Sequence, residues 1–244
     1  IKTLAFFDCF DHPLTKEELF RFLWQSPKVD YTSFLFQLNN NDLYKYIGRK
    51  HGFYFLKGRE ENIEKRRERT YYVDNKIEIA KKTARKFRFI PFIKAFFVCN
   101  NVSFDTVNDS GDVDVFLVVR KKRIWTVMTL ATLMLRIFGL RPTEKKVANK
   151  ICLTFYADED NLDLSKISIS DPDVYLIYWL AQLASVYDRD DISKLLKNKN
   201  EWIKQYLPNL FVDSFKEVDH IIKIKENKLT KLWKSFWERA WGSS

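Results

Sequence analysis

The sequence predicts an α+β protein, with helices at both ends of the chain and a mixed β-sheet between them. Two observations favour this class. Apolar residues recur at helical spacing in the first and last parts of the chain, whereas runs of β-forming residues cluster between positions 90 and 160. The composition, 46% hydrophobic and 30% charged, is that of a folded protein. We expect four segments, covering residues 1–58, 59–89, 90–165 and 166–244.

Residues 1–58 are predicted to form three helices followed by a hairpin. Thr15 and Glu18 have the spacing of a capping box, and Asp30 or Thr32 can cap the third helix. The stretch LYKYIGRKHGFYFLK alternates in polarity on both sides of a glycine-containing break, which is typical of a hairpin. Three helices and then a hairpin is the order of a winged helix-turn-helix module.

Such a module has two interpretations. In the first, the third helix enters the major groove of DNA and Arg49, Lys50 and His51 lie at the tip of the wing. In the second, the module is a protein-interaction or spacer unit. The third helix, YTSFLFQLNNN, contains no Arg or Lys, and phosphate contacts need cations, so the second interpretation is favoured.

Residues 59–89 are predicted to form one or two charged connecting helices, and residues 90–165 an α/β core. The inward positions of the connecting segment are Ile63, Tyr71, Ile77, Ala80 and Ala84. In the core we expect strands at 92–99, 112–119 and 149–157. The apolar segment 124–140 is barely long enough to span a membrane and contains Arg136, so a helix packed on the sheet explains it better. We expect no membrane partner.

The pattern of residues 166–244 is helical, and we expect a C-terminal helical bundle packed on the sheet. The three cysteines, Cys9, Cys99 and Cys152, lack metal-ligand spacing, which predicts reduced thiols in a cytoplasmic protein, with Cys99 and Cys152 in the core.

The net charge is +10. It fits a polyanionic partner such as nucleic acid, nucleotide or an acidic membrane surface, and equally a lysine-rich solvated surface.

The segment NDSGDVDVFLVV, residues 108–119, contains the strongest chemical signal. Alternate side chains of a strand share a face, so Asp112 and Asp114 point the same way, with Cα atoms about 6–7 Å apart. Two carboxylates held in this way repel each other unless a cation lies between them. Magnesium together with nucleotide phosphates is the expected cation, because Mg²⁺ takes one or two carboxylates plus phosphate oxygens. An acidic, exposed strand end is the alternative.

These residues resemble the nucleotidyltransferase superfamily that includes DNA polymerase beta. The strand FFVCNN followed by DSGDVDVFLVV matches the order and spacing of the family over residues 90–160. The resemblance implies that Asp112 and Asp114 hold Mg²⁺ and act in catalysis, with Asp158 as a third acidic residue. It further implies that a nucleoside triphosphate is the substrate and that its phosphates are bound by the residues at the family's Gly-Ser turn and nearby, here Asn100, Asn101, Ser103, Ser110 and Lys121.

Three functions therefore compete. The first is a magnesium-dependent transferase that moves a nucleoside monophosphate to a hydroxyl of a small molecule, protein or RNA end. The second is a catalytically inactive member that binds nucleotide or nucleic acid. The third is a DNA-binding regulator in which the winged helix leads.

Overall fold

A computed structural model describes residues 1–210 and 228–240, and it confirms the α+β class. The last predicted helix, 215–241, lies partly outside the described residues. Its described part is a helix, α9, over Lys228–Ala240. Within the described ranges, none of the helices combines the length and the apolarity that crossing a membrane requires.

The N-terminal segment contains the predicted helices and hairpin. Its elements are α1 (Lys2–Asp8), β1 (Leu14–Thr15), α2 (Lys16–Arg21), α3 (Tyr31–Leu38), a 3-10 turn (Asn41–Lys45), β2 (Ile47–Lys50) and β3 (Phe53–Leu56). The strands form an antiparallel sheet in the order β1-β3-β2. Thr15 and Glu18 form the expected capping box of α2, and Asp30 caps α3 by accepting from the backbone N–H of Ser33.

One helix, α4, connects this segment to the central sheet. It spans Asn62–Phe87 and is 26 residues long. Its buried face includes Ile63, Ile77, Ala80 and Ala84 as predicted. The inward assignment of Tyr71 is wrong, because this side chain is 75% exposed.

The central sheet has four strands in the order β6-β5-β4-β7. The elements after α4 are β4 (Ile93–Val98), α5 (Asn100–Ser103), β5 (Val113–Val119), α6 (Ile124–Ile137), β6 (Ile151–Asp158), a 3-10 turn (Leu164–Ile167), α7 (Val174–Ala181), β7 (Ala184–Asp188), α8 (Ile192–Lys199) and a second 3-10 turn (Glu201–Gln205). β5 is parallel to β6 and antiparallel to β4, which is itself antiparallel to β7, so the sheet is mixed as expected.

The predicted helical bundle over 166–244 is wrong at one place. Residues 184–188 are a strand that pairs with β4, although the sequence before them, DPDVYLIYWLAQ, is helical. The run ASVYD is short, and its two buried residues, Val186 and Tyr187, are adjacent and do not alternate with exposed ones. Pairing with β4 covers an edge that a continued helix would have left open.

The sheet separates two apolar cores. One face packs against α4 and α6 through residues such as Ile77, Val115 and Val127. The other face packs against α7 and α8 and against the N-terminal helices, with Phe7 and Tyr178 in the same cluster as Phe116. The N-terminal segment is therefore packed on the sheet through a shared core.

Candidate metal centre

Asp112 directly precedes β5 and Asp114 is its second residue, and β5 is one of the two inner strands of the sheet. Asp114 shares its face with Phe116 and Val118, which pack under α7, because side chains alternate along a strand. A carboxylate oxygen from each aspartate and the sulfur of Cys152, which is level with Asp114 on β6, lie within 4.8 Å of one another. The predicted pair therefore converges, and a thiol completes a group of three.

Neither of the two carboxylates is bonded to a cation among the described residues, although Lys76 acts electrostatically on Asp112. Asp114 accepts a hydrogen bond only from Thr154 there, and neither aspartate forms an ion pair with residues 1–210 or 228–240. Burial, followed by the charge of Asp114, raises the pKa of Asp112, whereas Lys76 acts in the opposite direction. A cation placed between the carboxylates would relieve both unfavourable contributions.

Lys76 of α4 fixes the loop that precedes Asp112. Its side chain is fully buried, and its Nζ donates to the carbonyl oxygens of Asp109 (2.9 Å) and Gly111 (2.6 Å) and to Oδ1 of Asn149 (2.8 Å). Burial lowers the pKa of this lysine, although Asp109 and Asp112 oppose the shift. All three protons of an ammonium group thus have acceptors, so the buried charge is satisfied and the loop is held from two sides.

A side chain larger than glycine does not fit at position 111. A Cβ there would lie 2.5 Å from Cγ2 of Val107, which is closer than such atoms approach. A larger residue at this position of the DSGD motif would therefore require Val107 to move.

Thr154 orients Asp114 from the neighbouring strand. The register between β5 and β6 shifts after Val115, so that Thr154 is an extra residue, and its hydroxyl donates to Oδ1 of Asp114 at 2.6 Å. Irregular pairing of this kind commonly re-aims a side chain beside a functional site. The carboxylate of Asp114 is thereby held in one orientation.

Two thiols border the carboxylates. Cys99 is buried in the core as predicted, whereas Cys152 is only half-buried and belongs to the candidate site. Burial chiefly raises the pKa of both thiols, and the negative charge of Asp114 adds to the effect. Both are therefore neutral thiols at pH 7, which are poor ligands for hard cations.

The residues at the position of the expected phosphate-binding turn are largely engaged within the fold. Asn100 has a left-handed backbone (φ 53°), and its Oδ1 accepts from Nε1 of Trp179 at 2.8 Å. The hydroxyl of Ser103 donates to the carbonyl of Asn100, and Ser110 donates to Asn108. Asn101, which is exposed, accepts from residues 106 and 107 through its carbonyl oxygen. Its side-chain Oδ1 accepts from the hydroxyl of Thr106 at 3.4 Å, so within this set the Nδ2 group of Asn101 is the donor most available to a ligand.

Helix α7 forms a wall above the carboxylates. Tyr175 is half-exposed and its ring packs on Phe104, and burial raises its pKa with smaller contributions from Cys99 and Asp114. Trp179 packs on Phe116 and Phe155. The carboxylates therefore lie between a polar strand end and an aromatic wall.

Asp158 and Lys121 lie at the other end of β5. Asp158 pairs in register with Val119, five residues beyond Asp114, a separation of about 16 Å along the strand. Its Oδ1 accepts from the backbone N–H of Asp160 and from Asn161, and Nζ of Lys121 pairs with Asp160 at 2.5 Å. The expectation that these two residues join Asp112 and Asp114 at one site is therefore wrong.

The sequence reasoning missed Lys76, Asn149, Cys152 and Thr154. Lys76 is one of many cations in a charged helix, and nothing in the sequence distinguishes it. Cys152 and Thr154 could have been suspected, because they alternate at the start of a strand that follows the aspartate strand in the chain. Their contact with Asp114 depends on the parallel pairing and its register shift, which no local pattern encodes.

Comparison of the chain with protein-family models, with curated proteins and with solved structures found no match.

Proposed function

We propose that this protein is a magnesium-dependent nucleotidyltransferase, in which Asp112 and Asp114 hold the metal and a nucleoside triphosphate is the donor. One observation carries the proposal. Two carboxylates share a sheet face with oxygens within 4.8 Å of each other, and neither forms an ion pair with a described residue. Such a pair is costly for the apo protein and useful for binding a divalent cation.

The donor set fits Mg²⁺ through its oxygens. Mg²⁺ prefers a few carboxylates together with phosphate oxygens and water, and Asp112 and Asp114 supply the carboxylates. Cys152, as a neutral thiol, lines the site and does not ligate a hard cation. When bound, the metal neutralises phosphate charge and activates the attacking hydroxyl.

The chain's own residues position the reactants. Thr154 fixes the orientation of Asp114, and Lys76 holds the loop before Asp112. Asn101 offers an exposed amide to phosphate oxygens. The half-exposed ring of Tyr175 offers a surface on which a base or an acceptor can stack.

A second candidate is a protein that binds nucleotide without transferring it. The distance of Asp158 from the carboxylate pair favours it. The third acidic residue that the resemblance implies is replaced beside the pair by Cys152, which is not a general base while its pKa is raised. In this candidate the basic surface and the N-terminal module, with its winged helix order, contact nucleotide or nucleic acid.

Calorimetry with each nucleoside triphosphate, with and without Mg²⁺, tests the shared premise. We expect binding that requires Mg²⁺ and falls at least about a hundredfold in Asp114→Asn, because half of the carboxylate charge is lost. Asp158→Asn is the matched control and should bind like the wild type. Magnesium-independent binding, or equal loss in both variants, would refute the metal site.

Turnover separates the two candidates. Mass spectrometry of small-molecule hydroxyl acceptors, of RNA ends and of the protein itself should show an added nucleoside monophosphate for the transferase, and the addition should be absent in Asp114→Asn. Mg²⁺-dependent binding without any addition identifies the binding protein.

A further inference from the structure

An exposed apolar surface lies on the side of the molecule formed by α6 and α9. A groove of about 450 Å³ separates the two helices, and five of its lining side chains are large, apolar and at least 47% exposed. They are Phe89, Leu133, Ile137, Phe138 and Trp233. We call this set, together with Leu232 and Phe236, the α6–α9 surface. It is separate from the carboxylates, because α6 packs on the opposite face of the sheet.

Helix α9 is fixed in an orientation that turns its apolar side chains outward. Nε1 of Trp233 donates to the carbonyl of Phe89 at 3.1 Å, and Glu238 pairs with Arg189 at 3.0 Å. These contacts use one side of the helix. Leu232 and Phe236 are four residues apart, so they share the other side of the helix, and they remain 66% and 62% exposed.

The rim of the groove is cationic. Nζ of Lys86 lies 4.0 Å from the ring centroid of Phe138, and the guanidinium of Arg88 lies 4.6 Å from that of Phe89. Neither cation forms an ion pair with a carboxylate of the described chain, and the same is true of the exposed Arg136 on α6. The segment from Lys81 to Lys94 contains six cations and no acidic residue, and of these six only Lys81 and Lys94 form ion pairs with described carboxylates elsewhere in the chain. This charge is complementary to an anionic partner.

We propose that the α6–α9 surface docks onto the surface of an anionic lipid bilayer. Exposed Trp, Phe, Leu and Ile side chains beside Lys and Arg are the composition of helices that lie in the membrane interface. The apolar side chains would enter the boundary between headgroups and acyl chains, while Lys86, Arg88 and Arg136 face lipid phosphates. Docking of this kind needs no membrane-spanning helix, and it departs from the sequence-based expectation of no membrane partner.

A bilayer fits this surface better than a single small ligand. Leu232 and Phe236 project outside the groove, because they do not line it although they adjoin Trp233 in the helix. Trp125, 76% exposed, extends the exposed stripe of α6 by twelve residues from Ile137, which is about 18 Å. A broad surface accommodates all of these side chains at once.

Co-sedimentation of the full chain with vesicles tests the proposal. We expect partitioning onto phosphatidylcholine vesicles that contain phosphatidylglycerol, and little onto phosphatidylcholine alone. Lys86→Gln combined with Arg88→Gln should weaken the partitioning about thirtyfold. Ile137→Ser combined with Phe236→Ser should weaken it by more than about tenfold.

Two variants elsewhere on the surface are the controls. Ile169→Ser removes an apolar side chain that is 92% exposed and lines a different groove, and Lys50→Gln removes a cation from β2. Neither should change the partitioning. The proposal is overturned by equal binding to both vesicle types, by no binding, or by equal losses in the controls. A wild-type dimer that Ile137→Ser and Phe236→Ser convert to a monomer would also overturn it, because the surface would then belong to a second copy of the chain.

Discussion

Acidic residues lie at both ends of strand β5, but their charges are compensated differently at the two ends. At the far end, Lys94 contacts Asp190 at 2.8 Å and Glu159 at 3.3 Å, and Lys121 contacts Asp160. At the near end, Asp112 and Asp114 share a face and form no ion pair with a described residue.

The difference shows that the fold compensates the acidic cluster at the far end with ion pairs and does not do so for the cluster at the near end. Exposed ion pairs such as Lys121–Asp160 satisfy their charges locally and contribute little to stability. Two like charges held side by side without an ion pair oppose folding, which is the physical reason for proposing a bound cation there. The far end is therefore a solvated sheet edge, and the near end is the candidate site.

The largest expected difference between the two ends is in the free energy of unfolding that is lost when Lys76 or Lys121 is replaced. Replacing Lys76 with Met leaves two carbonyl oxygens and Oδ1 of Asn149 without their donor in a buried place. We expect a loss of about 3–5 kcal/mol in the free energy of unfolding, measured by urea denaturation.

Lys121→Met is the matched control at the far end. Its ion pair is 61% and 48% exposed on the two sides, so the loss should stay below about 1 kcal/mol. Similar losses in the two variants would remove the distinction between the ends.

A smaller effect is expected at Thr154, which we regard as a positioning residue. Thr154→Val keeps the shape of the side chain but removes the hydroxyl that holds Oδ1 of Asp114. The affinity for Mn²⁺ or Mg²⁺, measured by calorimetry without nucleotide, should fall about tenfold. Thr154→Ser should restore it, because serine keeps the hydroxyl. Unchanged affinity in the valine variant would show that Asp114 needs no such support.

The smallest expected effect is that Asp112→Asn and Asp158→Asn change the free energy of unfolding in opposite directions. In metal-free buffer, Asp112→Asn should raise the free energy of unfolding by a few tenths of a kcal/mol to about 1 kcal/mol, because the substitution removes one of two repelling carboxylates. Asp158→Asn should lower it slightly, because the oxygen that accepts from Asp160 and Asn161 becomes a weaker acceptor.

Thermal unfolding in the presence of a chelator measures both variants under the same conditions. Destabilisation by both substitutions would contradict the view that the near end is strained without a cation. The comparison needs no ligand, so it is independent of the proposed transferase activity.

Much of the fold was accessible from sequence because its signals are local. The capping box of Thr15, the cap of Asp30, the hairpin and three strands of the central sheet follow from spacing and alternation. β7 was not predicted, because five residues after an apolar helix continue its hydrophobic pattern and only pairing with β4 makes them a strand. The predicted burial of Tyr71 is wrong for a related reason, because an apolar side chain on a long charged helix is not necessarily buried.

The candidate site was predicted only along one strand. Strand alternation placed Asp112 and Asp114 on one face, and their convergence confirms that inference. Asp158 is the last residue of β6. Because β6 is parallel to β5, Asp158 lies beside the end of β5, whereas Asp112 and Asp114 lie at its start. The contacts of Lys76 and Thr154 join residues 33 to 73 positions apart, and that information lies in tertiary packing.

Helix α4 sets a fixed spacing between two parts of the molecule. The guanidinium of Arg66 donates to the two carboxylate oxygens of Glu18 at 2.6 and 2.7 Å. Lys76, ten residues further along the helix and about 15 Å along its axis, donates to the loop before Asp112. A continuous helix does not stretch over so short a length. The distance between the N-terminal segment and the carboxylates is therefore fixed. Only an elongated molecule long enough to span that distance would contact both the segment and the carboxylates.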